Sequence, residues 1–102
     1  MLELRSTCEH CSASLPPSAQ DARICSYECT FCARCVEHVL HNVCPNCGGG
    51  FVPRPIRPAR NWVNGNFLGR HPATSKVTSA PVDQAAFEFF STAIRVIPPC
   101  DR

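Results

Sequence analysis

Several things are missing from this chain, and each absence removes a class of function. Nowhere in its 102 residues is there an uninterrupted apolar stretch near the ~18 residues of a membrane helix. The opening Met1-Leu-Glu-Leu-Arg-Ser-Thr-Cys8 is broken by Glu3 and Arg5, and lacks the apolar run of about 7–15 residues that marks an export leader. No Gly-x-Ser-x-Gly elbow presents a nucleophile. Gly48-Gly49-Gly50 is not followed by Lys-Ser/Thr, which excludes a phosphate-binding loop. The length also excludes barrels and doubly wound sheets, which need roughly 200 residues. A soluble, cytoplasmic chain of one ordinary domain is the expectation.

What is present in excess is cysteine. There are nine, and eight lie between Cys8 and Cys47. A stretch that short cannot bury a self-sufficient core, because below ~70–80 residues a staple is usually needed. The eight form four near-neighbour pairs: Cys8/Cys11, Cys25/Cys29, Cys32/Cys35 and Cys44/Cys47. Thiols inside a cell stay reduced, which argues against disulfides. A redox motif would need one pair and leave three unexplained. A two-residue gap lets both sulfurs face one side, suiting two corners of a zinc tetrahedron with bonds of ~2.3 Å. Four pairs therefore predict two structural Zn²⁺ ions.

Details around the pairs agree. In Cys44-Pro45-Asn46-Cys47-Gly48 the proline stiffens the loop, and the glycine permits the left-handed turn that aims backbone N–H groups at sulfur. Such donors offset part of the thiolate charge. Which pairs share an ion is left open by spacing: pairing can be interleaved or sequential, and Cys29/Cys32 can replace one of the pairs. His10, His38 and His41 are surplus to eight cysteines and are expected at the surface or around the sites. Catalytic zinc usually keeps an open position, whereas four-cysteine sites are closed. No catalytic residue is therefore assigned, and the chain is not expected to be an enzyme.

Between the ligands, Ala33–His41 has Val36, Val39 and Leu40 at helical spacing, with Phe31, Ile24 and Val43 available to meet that stripe. Burying six such side chains gives on the order of 10 kcal/mol before entropy is subtracted. Apparent zinc binding contributes ~10–16 kcal/mol per site, so metal dominates and the apo chain is expected to be unfolded.

The second half differs. Residues 1–50 carry three basic and five acidic side chains, residues 51–102 seven and three, so −2 faces +4. Phe51–Arg60 alternates proline and arginine, which predicts an extended arm. Such an arm can contact nucleic-acid phosphates through Arg54, Arg57, Arg60 and Arg70, or fold onto its own acidic module. Asn64-Gly65 between apolar pairs predicts a hairpin turn. Pro81–Val96 reads as a helix ended by Pro98-Pro99, with Val82, Ala86, Phe89, Ala93 and Ile97 on one stripe beside Ala85, Phe90 and Ile94. That stripe covers the cysteine module, or serves a partner or a second copy of the chain. Cys100 is read as a passive thiol near the C-terminus.

The spacing C-x2-C-x13-C-x3-C-x2-C-x2-C-x8-C-x2-C over residues 8–47, with Pro45 in the last pair, resembles the RING-type zinc domain with cysteine at the fourth ligand position. The resemblance implies cross-bracing: Cys8, Cys11, Cys32 and Cys35 on one zinc, and Cys25, Cys29, Cys44 and Cys47 on the other. It also raises a ubiquitin-ligase-like role, with Pro45 and Val39 or Leu40 as groove contacts. Against that role, Glu9 and His10 stand where an apolar residue is usual, and Gly48 where a basic one is. More narrowly, Met-Leu-Glu-Leu-Arg-x-x-Cys-Glu-His-Cys, Leu15-Pro-Pro, Asp21-Ala-Arg-Ile-Cys-Ser26, Glu28-Cys-Thr-Phe-Cys32 and Val43-Cys-Pro-Asn-Cys-Gly-Gly49 are similar to a bacterial family, domain of unknown function 1272. That resemblance runs from Met1 to about Pro58 and implies a bacterial cytosolic zinc protein without an assigned activity.

The expected fold is a small zinc-stabilised α+β unit: a RING-like or treble-clef module with two four-cysteine sites (1–50), a basic Pro-rich arm and loop (51–78) and a C-terminal amphipathic helix (79–97). The expected function is a non-catalytic module for protein contacts, with nucleic-acid binding and a ligase-like component as alternatives. Eight thiolates add −8 and two Zn²⁺ add +4, so loading takes the first half from −2 to −6. The basic tail would then face a strongly acidic neighbour.

Overall fold

Ala22–Ile24 (β1) and Thr30–Cys32 (β2) form an antiparallel hairpin, with Ala22 opposite Cys32, Arg23 opposite Phe31 and Ile24 opposite Thr30, in a computed structural model that describes residues 1–102. Val52–Pro53 (β3) adds to the other side of β1, giving the order β2-β1-β3. Proline lacks a ladder donor and is confined to sheet edges, which is where Pro53 lies. The segment expected as an arm thus begins as an edge strand, beyond the module end expected at residue 50, and Arg54 N–H extends the pairing by donating to Ala22 O at 2.9 Å.

Two helices complete the α+β arrangement. Ala33–His38 (α1) follows β2 directly, with Cys32 in extended conformation at its N-cap. It stops short of the expected end at His41. The chain turns left-handed at His41 (φ 50) and Asn42 (φ 59), and Asn42 N–H closes the end by donating to Val36 O. Gln84–Ser91 (α2) is shorter than the expected 81–96, because Asp83 rather than the proline region opens it, its side chain accepting from Ala86 N at 3.1 Å. Beyond Ser91 the Thr92 hydroxyl donates to Glu88 O, and single turns carry the chain to Ile97.

The inward side of α2 and of the turn that follows it is Phe87, Ser91 and half-buried Ile94, at i, i+4 and i+7. The expected stripe is therefore rotated: Phe89 is 90 % exposed, while Phe87 is 5 % exposed and joins the core. Phe31, Leu40, Val43 and Ile24 are buried as expected, and Val36 and Val39 lie against them partly covered. Leu4, Leu15 and Phe87, which no sequence pattern marks for the core, are buried as well. Phe51 meets Phe31 edge-on, with centroids 5.5 Å apart.

Two arginines expected in a nucleic-acid arm are turned inward. Arg54 is 4 % exposed and donates to the carbonyls of Arg5 (2.7 Å), Leu15 (3.1 Å) and Pro16 (2.9 Å). Arg57 donates to His71 O and Leu2 O. Both fasten the N-terminal segment to the chain beyond β3. Asn64 (φ 51) and Gly65 (φ 74) do form a left-handed turn, but no strands flank it, so the expected hairpin is absent. No helix is long and apolar enough to cross a membrane.

Candidate metal centres

The four cysteine pairs sit on three kinds of local structure. Cys8/Cys11 lies in a tight turn bracketed by a Thr7–Ser14 bridge; Cys8 N–H donates to Ala13 O (2.9 Å) and Ser12 N–H to Cys8 O (2.9 Å). Cys44/Cys47 repeats this pattern: Cys44 N–H to Gly49 O (2.8 Å) and Gly48 N–H to Cys44 O (2.8 Å). Both turns leave through a left-handed residue, Ser12 (φ 64) and Gly48 (φ 75). Cys25/Cys29 instead forms the loop of the β1–β2 hairpin, with Cys25 N–H donating to Cys29 O (3.2 Å) and Glu28 at φ 67. Cys32/Cys35 spans the junction of β2 and α1.

Glu9, inside the first turn, brings two of these pieces together. Its N–H donates to Thr30 O (3.0 Å), and its carboxylate accepts from Thr30 N–H, so the first turn hooks onto β2 two residues before Cys32. Cys8, Cys11, Cys32 and Cys35 then have sulfurs within 4.8 Å of one another, and Cys11 and Cys32 Sγ are 3.8 Å apart. Zn–S bonds of ~2.3 Å in a tetrahedron put ligand sulfurs ~3.8 Å apart, so this cluster has the size of a zinc site. The second and fourth pairs supply the other cluster: Cys25, Cys44 and Cys47 are mutually close. Cys29 touches Cys25 and Cys44 but stands outside that mutually close set. Two cysteine groups that could each hold a metal ion are thus present, interleaved along the chain.

Electrostatics favour a cation in both. Burial pushes the Cys35 thiol up, and the sulfurs of Cys32, Cys11 and Cys8 add to it. Burial likewise raises Cys44, against N–H groups of Asn46 and Cys47, with thiolate charge at Cys29 and Cys25 adding to the rise. Burial and the neighbouring Cys25 push Cys29 up to about 11. One thiol per cluster goes the other way. For Cys11, burial is outweighed by the Ala13 N–H and three neighbouring sulfurs; for Cys25, it is outweighed by N–H groups of Tyr27 and Cys29 and by nearby sulfurs. Close-packed thiolates cannot all carry charge without a positive ion between them. Backbone N–H groups already point at sulfur: Tyr27 to Cys25 (3.3 Å), Asn46 to Cys44 (3.4 Å) and Gly49 to Cys47 (3.4 Å). Donor set, spacing and surroundings fit Zn²⁺.

The remaining candidates take other places. His38 and His41 are exposed, whereas His10 Nδ1 accepts from Val82 N–H (2.9 Å) and ties the first turn to the segment before α2. Cys100 is exposed in a 3-10 turn, Pro99–Asp101. Glu9 and Arg54 are structural residues that no sequence pattern singles out. In sequence Glu9 is only a departure from an apolar position, and in the fold its charge is balanced by Arg5 at 2.8 Å. Arg54 is one arginine among four in a basic stretch, with no local pattern to reveal its buried carbonyl partners.

Comparison with known proteins places the chain in a family. A family profile described as "Protein of unknown function (DUF1272)" matches residues 1–57. An uncharacterised protein of Rhizobium meliloti (strain 1021) is 51% identical over 75 residues, which cover 74% of this chain and 82% of the relative. No solved structure matches the chain. The matched region holds all eight clustered cysteines together with Glu9 and Arg54, and the chain belongs to the DUF1272 family of proteins of unknown function.

Proposed function

We propose that the chain is a non-catalytic protein-interaction module held together by two structural zinc ions. Cys8, Cys11, Cys32 and Cys35 would bind one ion, and Cys25, Cys29, Cys44 and Cys47 the other, in a RING-like cross-brace. The observation that carries this reading is the first cluster, whose sulfurs are mutually within 4.8 Å, a closed set with no ligand position left for a reacting water. Cys29, a neighbour of Cys25 and Cys44, would complete the second set.

An interaction role is supported by what the outside offers. Tyr27, Trp62, Phe89 and Val96 are each more than 60 % exposed, large side chains that a partner would cover. The nucleic-acid alternative loses Arg54 and Arg57 to internal carbonyls, and retains Trp62 beside Arg60. The ligase-like alternative retains an exposed Pro45, but its approach is shared with Phe87 and Phe90 of α2. Metal analysis of the purified chain tests the zinc framework: two zinc per chain is expected, and one or none would overturn it. Failure to form ubiquitin chains with a conjugating enzyme, and no salt-sensitive gel shift, are the expected outcomes that separate this role from its rivals.

A further inference from the structure

Between the Cys25–Cys29 loop, the last cysteine turn and α2 lies an open cleft of about 620 Å³. This is within the ~300–1,000 Å³ of small-molecule sites. Four aromatic side chains face it: Tyr27 from the hairpin loop, Phe31 from β2, and Phe87 and Phe90 from α2, the last two 5.9 Å apart and tilted by 47°. Its charged groups are unbalanced. Arg5 is the sole cation in the lining, and it is bracketed by Glu3 at 2.7 Å and Glu9 at 2.8 Å, so the trio carries a net negative charge. Asp83, at the α2 cap, adds a second carboxylate at the rim.

Glu9 is the most telling of these groups. Its side chain is 8 % exposed, and both hydrogen bonds it accepts, from Arg5 and from Thr30 N–H, end on Oε2. Oε1 has no protein donor, although Glu9 lines the cleft. Oε1 is left open to the cleft, where a cationic donor would pair with it in place of water. Aromatic faces, a carboxylate at depth and a second at the rim are complementary to a positive charge on an apolar body.

We propose that this cleft is a binding site for a small organic cation, an ammonium group carrying an aliphatic or aromatic substituent. The ammonium faces Glu9 Oε1 and the aromatic faces of Tyr27, Phe87 and Phe90; the apolar substituent lies along Val82 and Pro45. An anion is disfavoured by two carboxylates, and a neutral ligand offers them no opposite charge.

The test uses the zinc-loaded full chain and three phenyl probes of different charge: benzylammonium, benzyl alcohol and benzoate. Backbone amide shifts are followed by NMR. The cation should give saturable shifts centred on Val82, Ala86 and Phe90, with a Kd at or below ~1 mM. It should bind at least about fivefold more tightly than the alcohol, with benzoate weakest. Asp83→Asn keeps a good helix cap and removes only charge; Phe90→Leu removes one half-exposed ring. Each should weaken the cation about two- to fivefold while the far-UV spectrum and zinc content stay unchanged. Equal affinity for the three probes would overturn the proposal. So would unchanged affinity in both variants, or shifts centred away from the cleft.

Discussion

The two cysteine clusters are made from the same residue type but are assembled differently. The first draws on a tight turn, Cys8/Cys11, and on the β2–α1 junction, Cys32/Cys35, locked together by the two bonds between Glu9 and Thr30. The second draws on a matching turn, Cys44/Cys47, and on a hairpin loop, Cys25/Cys29, of which Cys29 stands outside the close set. A cluster whose geometry is set by packed neighbours needs little rearrangement to take an ion; one with a displaced ligand needs more. The first cluster should therefore hold metal more tightly than the second.

The largest effect tests what the clusters share. Removing both ions with a strong chelator should abolish the fold, because apparent binding of ~10–16 kcal/mol per site exceeds the stability of any domain this small. Loss of the far-UV spectrum, reversed by adding zinc, is the expected outcome; a spectrum that persists after complete removal would show a core that stands alone. Sub-stoichiometric chelation separates the clusters. Zinc should leave in two steps, and amide signals around Cys25 and Cys44 should change before those around Cys11 and Cys35. In Cys29→Ser one zinc should remain per chain with the β1–β2 sheet intact, while Cys35→Ser should fail to fold. Release in a single step would break the comparison.

Acid should act in the same order. Zinc ligands must be thiolates, so protons compete with metal. Cys29, raised to about 11 by burial and by Cys25, holds its proton more firmly than an ordinary thiol. Burial raises a thiol in the first cluster as well, Cys35, so it is the displacement of Cys29 from its set, not thiol pKa, that makes the second cluster the one to give up metal first as pH falls. A downward pH titration should empty the second cluster at a higher pH than the first, as read by zinc release to a colorimetric indicator.

Smaller effects come from the residues that brace each side. Arg54 holds the Leu15–Pro16 segment that follows the first cysteine turn, and Arg54→Met would strand three carbonyls, costing about 2–3 kcal/mol. Phe87 belongs to the core beside the second cluster, and Phe87→Ala should cost about 3 kcal/mol. Phe89→Ala, two residues away and exposed, should change stability by no more than about 0.5 kcal/mol. Denaturant midpoints of the zinc-loaded variants check all three. An equal cost at Phe87 and Phe89 would mean that α2 presents a different face.

These residues also show where the sequence was readable. Cysteine spacing is a local pattern, and it marked the seven cysteines of the two close groups, although it left open which pairs come together. Periodicity found α1 and α2, but helix ends depend on single residues: Asp83 as a cap, and His41 and Asn42 in left-handed conformation. The inward face of α2 is not legible in the sequence, because Phe87, Phe89 and Phe90 are too close for periodicity alone to separate them. Its tertiary setting selects Phe87. Arg54 and Glu9 were illegible for another reason. Each owes its role to partners 20 to 50 positions away, Thr30 for one and Arg5, Leu15 and Pro16 for the other, and no local pattern encodes such partners.

The smallest expected effect makes the sharpest comparison, because it concerns one backbone position in two copies of the same turn. Ser12 and Gly48 each follow the second cysteine of a pair, each donates N–H to the carbonyl of the first cysteine, and each is left-handed. A non-glycine residue in that region costs roughly 1–2 kcal/mol, less for short polar side chains that bond locally. Serine at position 12 therefore carries strain that glycine at position 48 avoids. A Cβ at Gly48 would meet only Ile94 Cδ1 at 3.9 Å, an ordinary contact, so space is not what requires glycine there. Ser12→Gly should stabilise the zinc-loaded chain by up to about 1 kcal/mol, and Gly48→Ser should destabilise it by about the same amount. If the turns are equivalent, the double variant should return to the wild-type midpoint. If Ser12→Gly instead destabilises, the Ser12 hydroxyl makes a contact that Gly48 has no counterpart for, and the likeness of the two turns ends at the backbone.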